Sequence, residues 1–234
     1  MENIETLKQS IEKSKKQKGM AEIHIKHVNV LFLDVSSTCT GYAIAAMNLG
    51  DRSEPVVVKK AGCIWFGADW DHQTKYSYIF NALLTYFEIV EQIDLVIHES
   101  YSVNKDRMAG VMVVPEMIGA IKVAAKENGV RVDCLPPQTW RAQIGLKPDV
   151  KKGKDGKDKR DYKEPCKVIM NNLFKNIPEE VTSNITKKNR ATPSDLYDAL
   201  GVCLGWLKKN GYGKIVYDKC EYNSHIGNIE EPLQ

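Results

Sequence analysis

VNVLFLDVSSTCTGYAIAAM, residues 28–47, is the stretch that decides the fold. VNVLFLDV (28–35) is a continuous apolar run, partly β-branched and of strand length. TGYAIAAM (40–47) reads as a second strand, and beyond the turn-rich NLGDRSEP (48–55) the run VVVKKAGCIWF (56–66) supplies a third. Outward from there the period changes. Tyr76, Ile79, Phe80, Leu83, Leu84, Phe87 and Val90 recur every three or four residues, predicting a helix from about His72 to Gln92. DLVIHES (94–100) is a short buried strand. A second helix, from about Lys105 to Asn128, is closed by Gly129, with Pro115 expected to kink it. RVDCLP (131–136) is a fifth strand, stopped by Pro136 and Pro137. Two more helices follow, near Glu164 to Lys175 and Ser194 to Asn210. The sum is an α/β fold, a mixed five-stranded sheet flanked by helices.

The chain has 234 residues, 43% of them apolar, enough for one full core. We expect a polar helical extension over 1–26 with little beyond Leu7 and Ile11 to bury, one domain over 27–210, and a polar tail of low structural content over 211–234. The segment from Lys147 to Lys167 holds nine basic and five acidic side chains without apolar period, and its 147–163 part reads as a mobile basic insertion. The net charge is only +3, from 33 basic and 30 acidic side chains, so bulk charge neither demands nor excludes a nucleic-acid partner. Six cysteines are spread singly, which argues against a disulfide framework or a zinc site and fits a reducing, cytoplasmic compartment. The charged N-terminus resembles no secretion signal. The most apolar long window, Met108 to Ala125, is broken by Pro115, Glu116 and Lys122, so no membrane span is expected.

Four acidic residues stand out by position. Asp34 ends the first strand, Glu99 ends the fourth, and Asp195 and Asp198 share the last helix. Singly, each has an ordinary explanation as a turn cap, a solvated strand end or a first-turn acid. Together they differ, because a spacing of three puts Asp195 and Asp198 on one helical face and the carboxyl ends of neighbouring strands converge. Several carboxylates in one site repel unless cations fill it, and Mg²⁺ or Mn²⁺ prefers such oxygen ligands. Two ions about 4 Å apart can activate a water and stabilise the leaving oxygen of a phosphodiester displacement.

At these residues the sequence resembles the RuvC-type Holliday junction resolvases of the RNase H-like superfamily. LDVSSTCTGYAIA is similar to their opening hairpin, VIHESY to their second acidic position, and SDLYDALGV to their C-terminal helix with two aspartates three apart. The resemblance implies an RNase H-like fold, a homodimer, a divalent metal and paired nicking of branched DNA in recombination and repair, with Asp34, Glu99, Asp195 and Asp198 as metal ligands and catalytic residues. A helix near Met108 to Ala125 would form the dimer seam. The N-terminal extension, the lysine-rich insertion and the tail after Lys209 exceed a compact bacterial resolvase and point to a divergent, viral or phage member.

For DNA contacts the candidates are Ser37 and Thr38 beside Asp34; Tyr101, Asn104, Lys105 and Arg107 after Glu99; Arg141; Lys151 and Lys152 in the insertion; and Lys187, Lys188 and Arg190 before the acidic helix. Trp140 is expected to be packing. Three rivals remain open. An actin-like or sugar-kinase fold would use Asp34, Ser37, Thr38 and Gly41 around ATP, but no second glycine-rich phosphate loop follows. A nuclease of the same fold acting on flap DNA or RNA-containing substrates would keep the site and change the partner. An inactive junction-binding protein would have no use for all four carboxylates.

Overall fold

The computed structural model describes residues 9, 11, 27–85, 92–101, 112–152, 158–182 and 188–223. Asn104, Lys105, Arg107 and Lys187, the tip of the insertion and most of the N-terminal extension lie outside these. β1 (His27–Asp34), β2 (Cys39–Asn48) and β3 (Val56–Trp65) form an antiparallel meander in which Asp34 stands opposite Gly41. After α1 (His72–Thr85), β4 (Ile93–Glu99) lies parallel to β1, with His98 beside Leu33. After α2 (Val113–Glu127), β5 (Arg131–Leu135) lies parallel to β4. The five expected strands thus lie in the order β3-β2-β1-β4-β5. The parallel pairs are those joined through a helix, as right-handed crossovers require.

Strand periodicity assigns the faces. Along β1, Val30 and Phe32 enter one core and Leu31 and Leu33 the other, so both faces are covered and the run has no polar alternation. Along β4, Leu95 and Ile97 share the core of Val30 and Phe32. By the same parity Asp34 and Glu99 emerge on that face, at neighbouring strand ends. The opposite face is covered by α1 and α2, through Ile79, Leu83, Met117 and Ile121. The face bearing the two carboxylates is covered by α3 (Pro137–Gln143), α4 (Lys163–Leu173) and α5 (Ser194–Lys209). Ile11 of the N-terminal extension is buried in this same layer.

Several expectations are corrected. The double proline stops β5 as expected, and it also opens a helix beyond those expected. Pro136 caps α3 and Pro137 begins it, a position where a missing N–H costs nothing. Pro115 does not kink α2 because it lies in the first turn, where the backbone N–H has no intrahelical partner to lose. The basic insertion holds an antiparallel hairpin, β6 (Asp149–Lys152) and β7 (Asp158–Asp161), whose strands are almost wholly exposed and so show no apolar period. A second hairpin, β8 (Glu180–Thr182) with β9 (Asn189–Ala191), precedes α5. The tail supplies β10 (Ile215–Val216) and β11 (Glu221–Asn223), both parallel to β3, which extends the sheet to seven strands. Gly129 ends α2 as expected, at φ 63°. Among the described residues no helix is long and apolar enough to cross a membrane.

Candidate active site

The site is assembled around Asp34. Its register partner Gly41 has no side chain, and a Cβ there would lie 1.9 Å from the backbone oxygen of Asp195. That vacancy lets the first turn of α5 settle directly on β2. Further along β2, Ala43 and Ala45 face the same core and keep the α5 side of the strand low. Asp195 and Asp198 are thereby brought to the carboxyl end of β1. Pro193 caps α5, and the N-terminal end of the helix dipole places partial positive charge near the acids.

The electrostatics follow from this crowding. Burial holds the Asp34 carboxyl well above its ordinary pKa, and Asp198, Glu99 and Asp195 each raise it further, with Arg141 opposing. Burial pushes Asp198 up to about 6; Cys166 and Arg141 pull it down, while Glu99 and Asp195 push it up. Glu99 and Asp195 are raised by burial as well; hydrogen bonds from Trp140 to Glu99 and from Ser36 to Asp195 work against it. All four expected ligands therefore occupy one region.

They do not form a closed cage. Among the described residues no group of three Asp, Glu, His or Cys side chains is drawn up as a metal site. The cause is visible in their partners: Glu99 Oε2 accepts from the Trp140 indole at 2.6 Å, while Asp195 and Asp198 interact with Ser36 and Cys166. The donor set itself, four carboxylates raised by burial and, at Asp34 and Asp198, by mutual repulsion, fits a hard divalent cation.

A cleft of about 220 Å³ opens beside these residues, lined by Asp34, Val35, Glu99, Ser100, Tyr101, Val114 and Pro137. Tyr101 is 40% exposed there, so it is wall and not core. Arg141, whose place the sequence left open, lies over the rings of Trp140 and Tyr162 at 5.1 and 4.5 Å. Its guanidinium stands 3.9 Å from Glu99, and its buried Nε has no hydrogen-bond partner among the described residues. Ser37 and exposed Thr38 flank the end of β1. Lys188 and Arg190 are exposed on or beside β9, with Arg190 stacked over Trp65 at 5.2 Å. Lys151 and Lys152 are exposed but tied across their hairpin to Asp161 and Asp158, at 3.3 and 3.4 Å.

Four residues near the acids are not marked out by the sequence. Trp140 is fully buried as expected, yet it also reaches Glu99. Tyr162 supports Arg141, Cys166 meets Asp198, and Lys163 acts on Asp195. For Tyr162, Lys163 and Cys166 the signal is position at the start of α4, which the charge run obscures.

Fold and site together define an RNase H-like α/β protein with an acidic centre at the ends of β1 and β4. Comparison with solved structures gives that fold a particular relative. Thermus thermophilus RuvC in complex with a Holliday junction substrate superposes with a TM-score of 0.54 at 16% identity, over 80% of this chain and 99% of that one. A second Thermus thermophilus RuvC structure gives 0.50 at 18%, over 76% and 92%. The yeast mitochondrial Holliday junction resolvase Ydc2 gives 0.46 at 12%, over 89% and 85%. No protein-family model matches the sequence, and no curated protein does. The chain has the RuvC fold.

Proposed function

We propose that this protein is a divalent-metal-dependent crossover junction endodeoxyribonuclease, which resolves Holliday junctions by paired nicks as a homodimer. The observation that supports it best is Asp34, half-buried at the end of a central strand with three further carboxylates acting on its charge. Such a cluster has little structural value without cations, since each added carboxylate opposes ionisation of the next. Thermus thermophilus RuvC, of the same fold, is seen with a Holliday junction substrate.

Asp34, Glu99, Asp195 and Asp198 would hold two Mg²⁺ or Mn²⁺ ions. When bound, these ions would activate the attacking water and neutralise the leaving oxygen. Asp34, Glu99 and Asp198 would be the principal ligands, and Asp195 would be a further ligand or an outer-sphere base. Arg141, stiffened between two rings and 3.9 Å from Glu99, is the cation we assign to a phosphate oxygen beside the acids. Tyr101, on the cleft wall, offers a face on which an unpaired base can stack. Ser37, Thr38, Lys188 and Arg190 meet the backbone beside the site, with Asn104, Lys105, Arg107 and Lys187 completing the contact. Lys151 and Lys152 serve at longer range, because each must first leave an aspartate.

The test is cleavage of a labelled four-way junction beside duplex, flap and RNA–DNA hybrid, with Mg²⁺ and with chelator. Metal-dependent nicking of the junction in preference to the others is expected. Asp34→Asn should lose cleavage and keep junction binding, because it weakens cation binding while reducing repulsion of phosphate. Preference for flap or hybrid would keep the site and replace the substrate.

A further inference from the structure

We infer that Trp140 is a positioning residue, whose indole N–H fixes the Glu99 carboxylate and locks its placement to the helix bearing Asp195 and Asp198. The inference rests on the reading of Glu99 as a cation ligand.

Trp140 is fully buried, and it touches both parts of the acidic centre. On one side its Nε1 donates to Glu99 Oε2 at 2.6 Å. Arg141 approaches this same oxygen at 3.9 Å, and among the described residues no hydrogen bond reaches Glu99 Oε1. Oε1 is thus the oxygen left to take a cation. On the other side the indole lies against Gly201, while the Trp140 Cβ and backbone lie against Gly205, one turn further along α5. A Cβ at Gly201 would be 2.6 Å from the ring, and one at Gly205 would be 2.4 Å from the Trp140 Cβ. Any other residue type at 201 would collide with the ring, and any at 205 with the Trp140 backbone. The same helix presents Asp195 and Asp198, so Trp140 spans from the end of β4 to α5.

Packing alone does not call for a tryptophan here. A phenylalanine would also lie on two glycines, whereas the indole adds one donor, no acceptor and no charge. It cannot compete with the carboxylates for a cation, and it can only orient an oxygen acceptor. Partners that orient a ligating side chain commonly change metal affinity by about 10- to 100-fold when removed.

The experiment is direct Mn²⁺ binding, by electron paramagnetic resonance of free ion, to the full chain and to Trp140→Phe, Glu99→Gln and the double variant. We expect Trp140→Phe to weaken Mn²⁺ binding by about 10-fold or more in the wild-type background and to add nothing in the Glu99→Gln background. Equal weakening in both backgrounds would show that the indole acts through packing, and wild-type affinity in Trp140→Phe would show no role; either overturns the inference. Glu99→Gln with undiminished affinity would instead overturn the reading of Glu99 as a ligand.

A second measurement leaves Trp140 in place, should its replacement not fold. The chain has four tryptophans, hence four indole N–H resonances. The resonance that moves in Glu99→Gln should be the one most broadened by substoichiometric Mn²⁺ in the wild-type chain. If different indoles respond to the two perturbations, the assignment of Trp140 fails.

Discussion

An absent side chain shapes this site as much as the charged ones do. Any Cβ at Gly41 would overlap the Asp195 carbonyl, so Gly41→Ala must push the start of α5 off β2. Overpacking of this kind costs about 1–3 kcal/mol, and a displacement near 1 Å at reacting groups costs about 100-fold in rate. We expect Gly41→Ala to fold with a lower melting temperature and to cleave about 100-fold more slowly; unchanged cleavage would show that α5 need not sit so close. Asp198 allows a test by pH. Its carboxyl, ordinarily at 3.8, is held at about 6 by burial, so the folded chain binds that proton more tightly than the unfolded one. Its stabilising contribution is full below about pH 4 and is lost as pH rises through about 6. In chelator, the melting temperature of the wild type should therefore fall across that window relative to Asp198→Asn, which cannot titrate; parallel profiles would place Asp198 in an ordinary solvated environment. His98, lowered by burial, acts with the opposite sign but equally in both proteins. At this scale the acids were legible because strand ends and a three-residue spacing fix where side chains point. The Trp140 contact was not, since 41 residues separate it from Glu99 and nothing local encodes the meeting.

Elements were legible in proportion to their burial. β1, β4 and α5 bury both faces or a broad stripe, so their apolar runs announce them. α3 has only seven residues and one fully buried side chain, too few for a helical period to emerge. The β6–β7 hairpin is held by its ladder and by exposed ion pairs, so its composition reads as loop. The β8–β9 hairpin differs, because Arg190 anchors it on Trp65 at the end of β3, beside the loop that follows Asp34. An anchored cation pays less ordering entropy on meeting a phosphate than one on a free chain. Replacing Lys188 and Arg190 with Ala should weaken junction binding and lower the slope of log affinity against log salt by about 0.9 for each phosphate no longer neutralised. Arg190→Ala should have the larger effect of the two single variants, since it also frees the hairpin. A salt slope equal to wild type would mean that this hairpin faces away from DNA.

The described residues hold one acidic centre, and on the proposed function one centre would cut one strand at each visit, whereas resolving a four-way junction takes two cuts on opposed strands. A second copy related by a twofold axis meets that requirement, because the junction is itself nearly twofold. Exposed apolar side chains offer a seam for it. Val123 on α2 is 50% exposed and Met112, just before the helix, is 60% exposed. Eleven residues make about three helical turns, so the two lie on nearly the same line. A plasmid with an extruded cruciform separates the alternatives. Two cuts within one encounter convert it directly to linear DNA, while single, unlinked cuts release the supercoil, reabsorb the cruciform and leave nicked circles. Wild-type protein is expected to give linear product from the earliest times, and a variant with both Met112→Glu and Val123→Glu to sediment as a monomer and give nicked circles. If that variant stays dimeric and still linearises the plasmid, the seam lies elsewhere. If the wild type gives only nicked circles, the chain is a nuclease that cuts branched DNA one strand at a time, and the acidic centre stands without the paired cut.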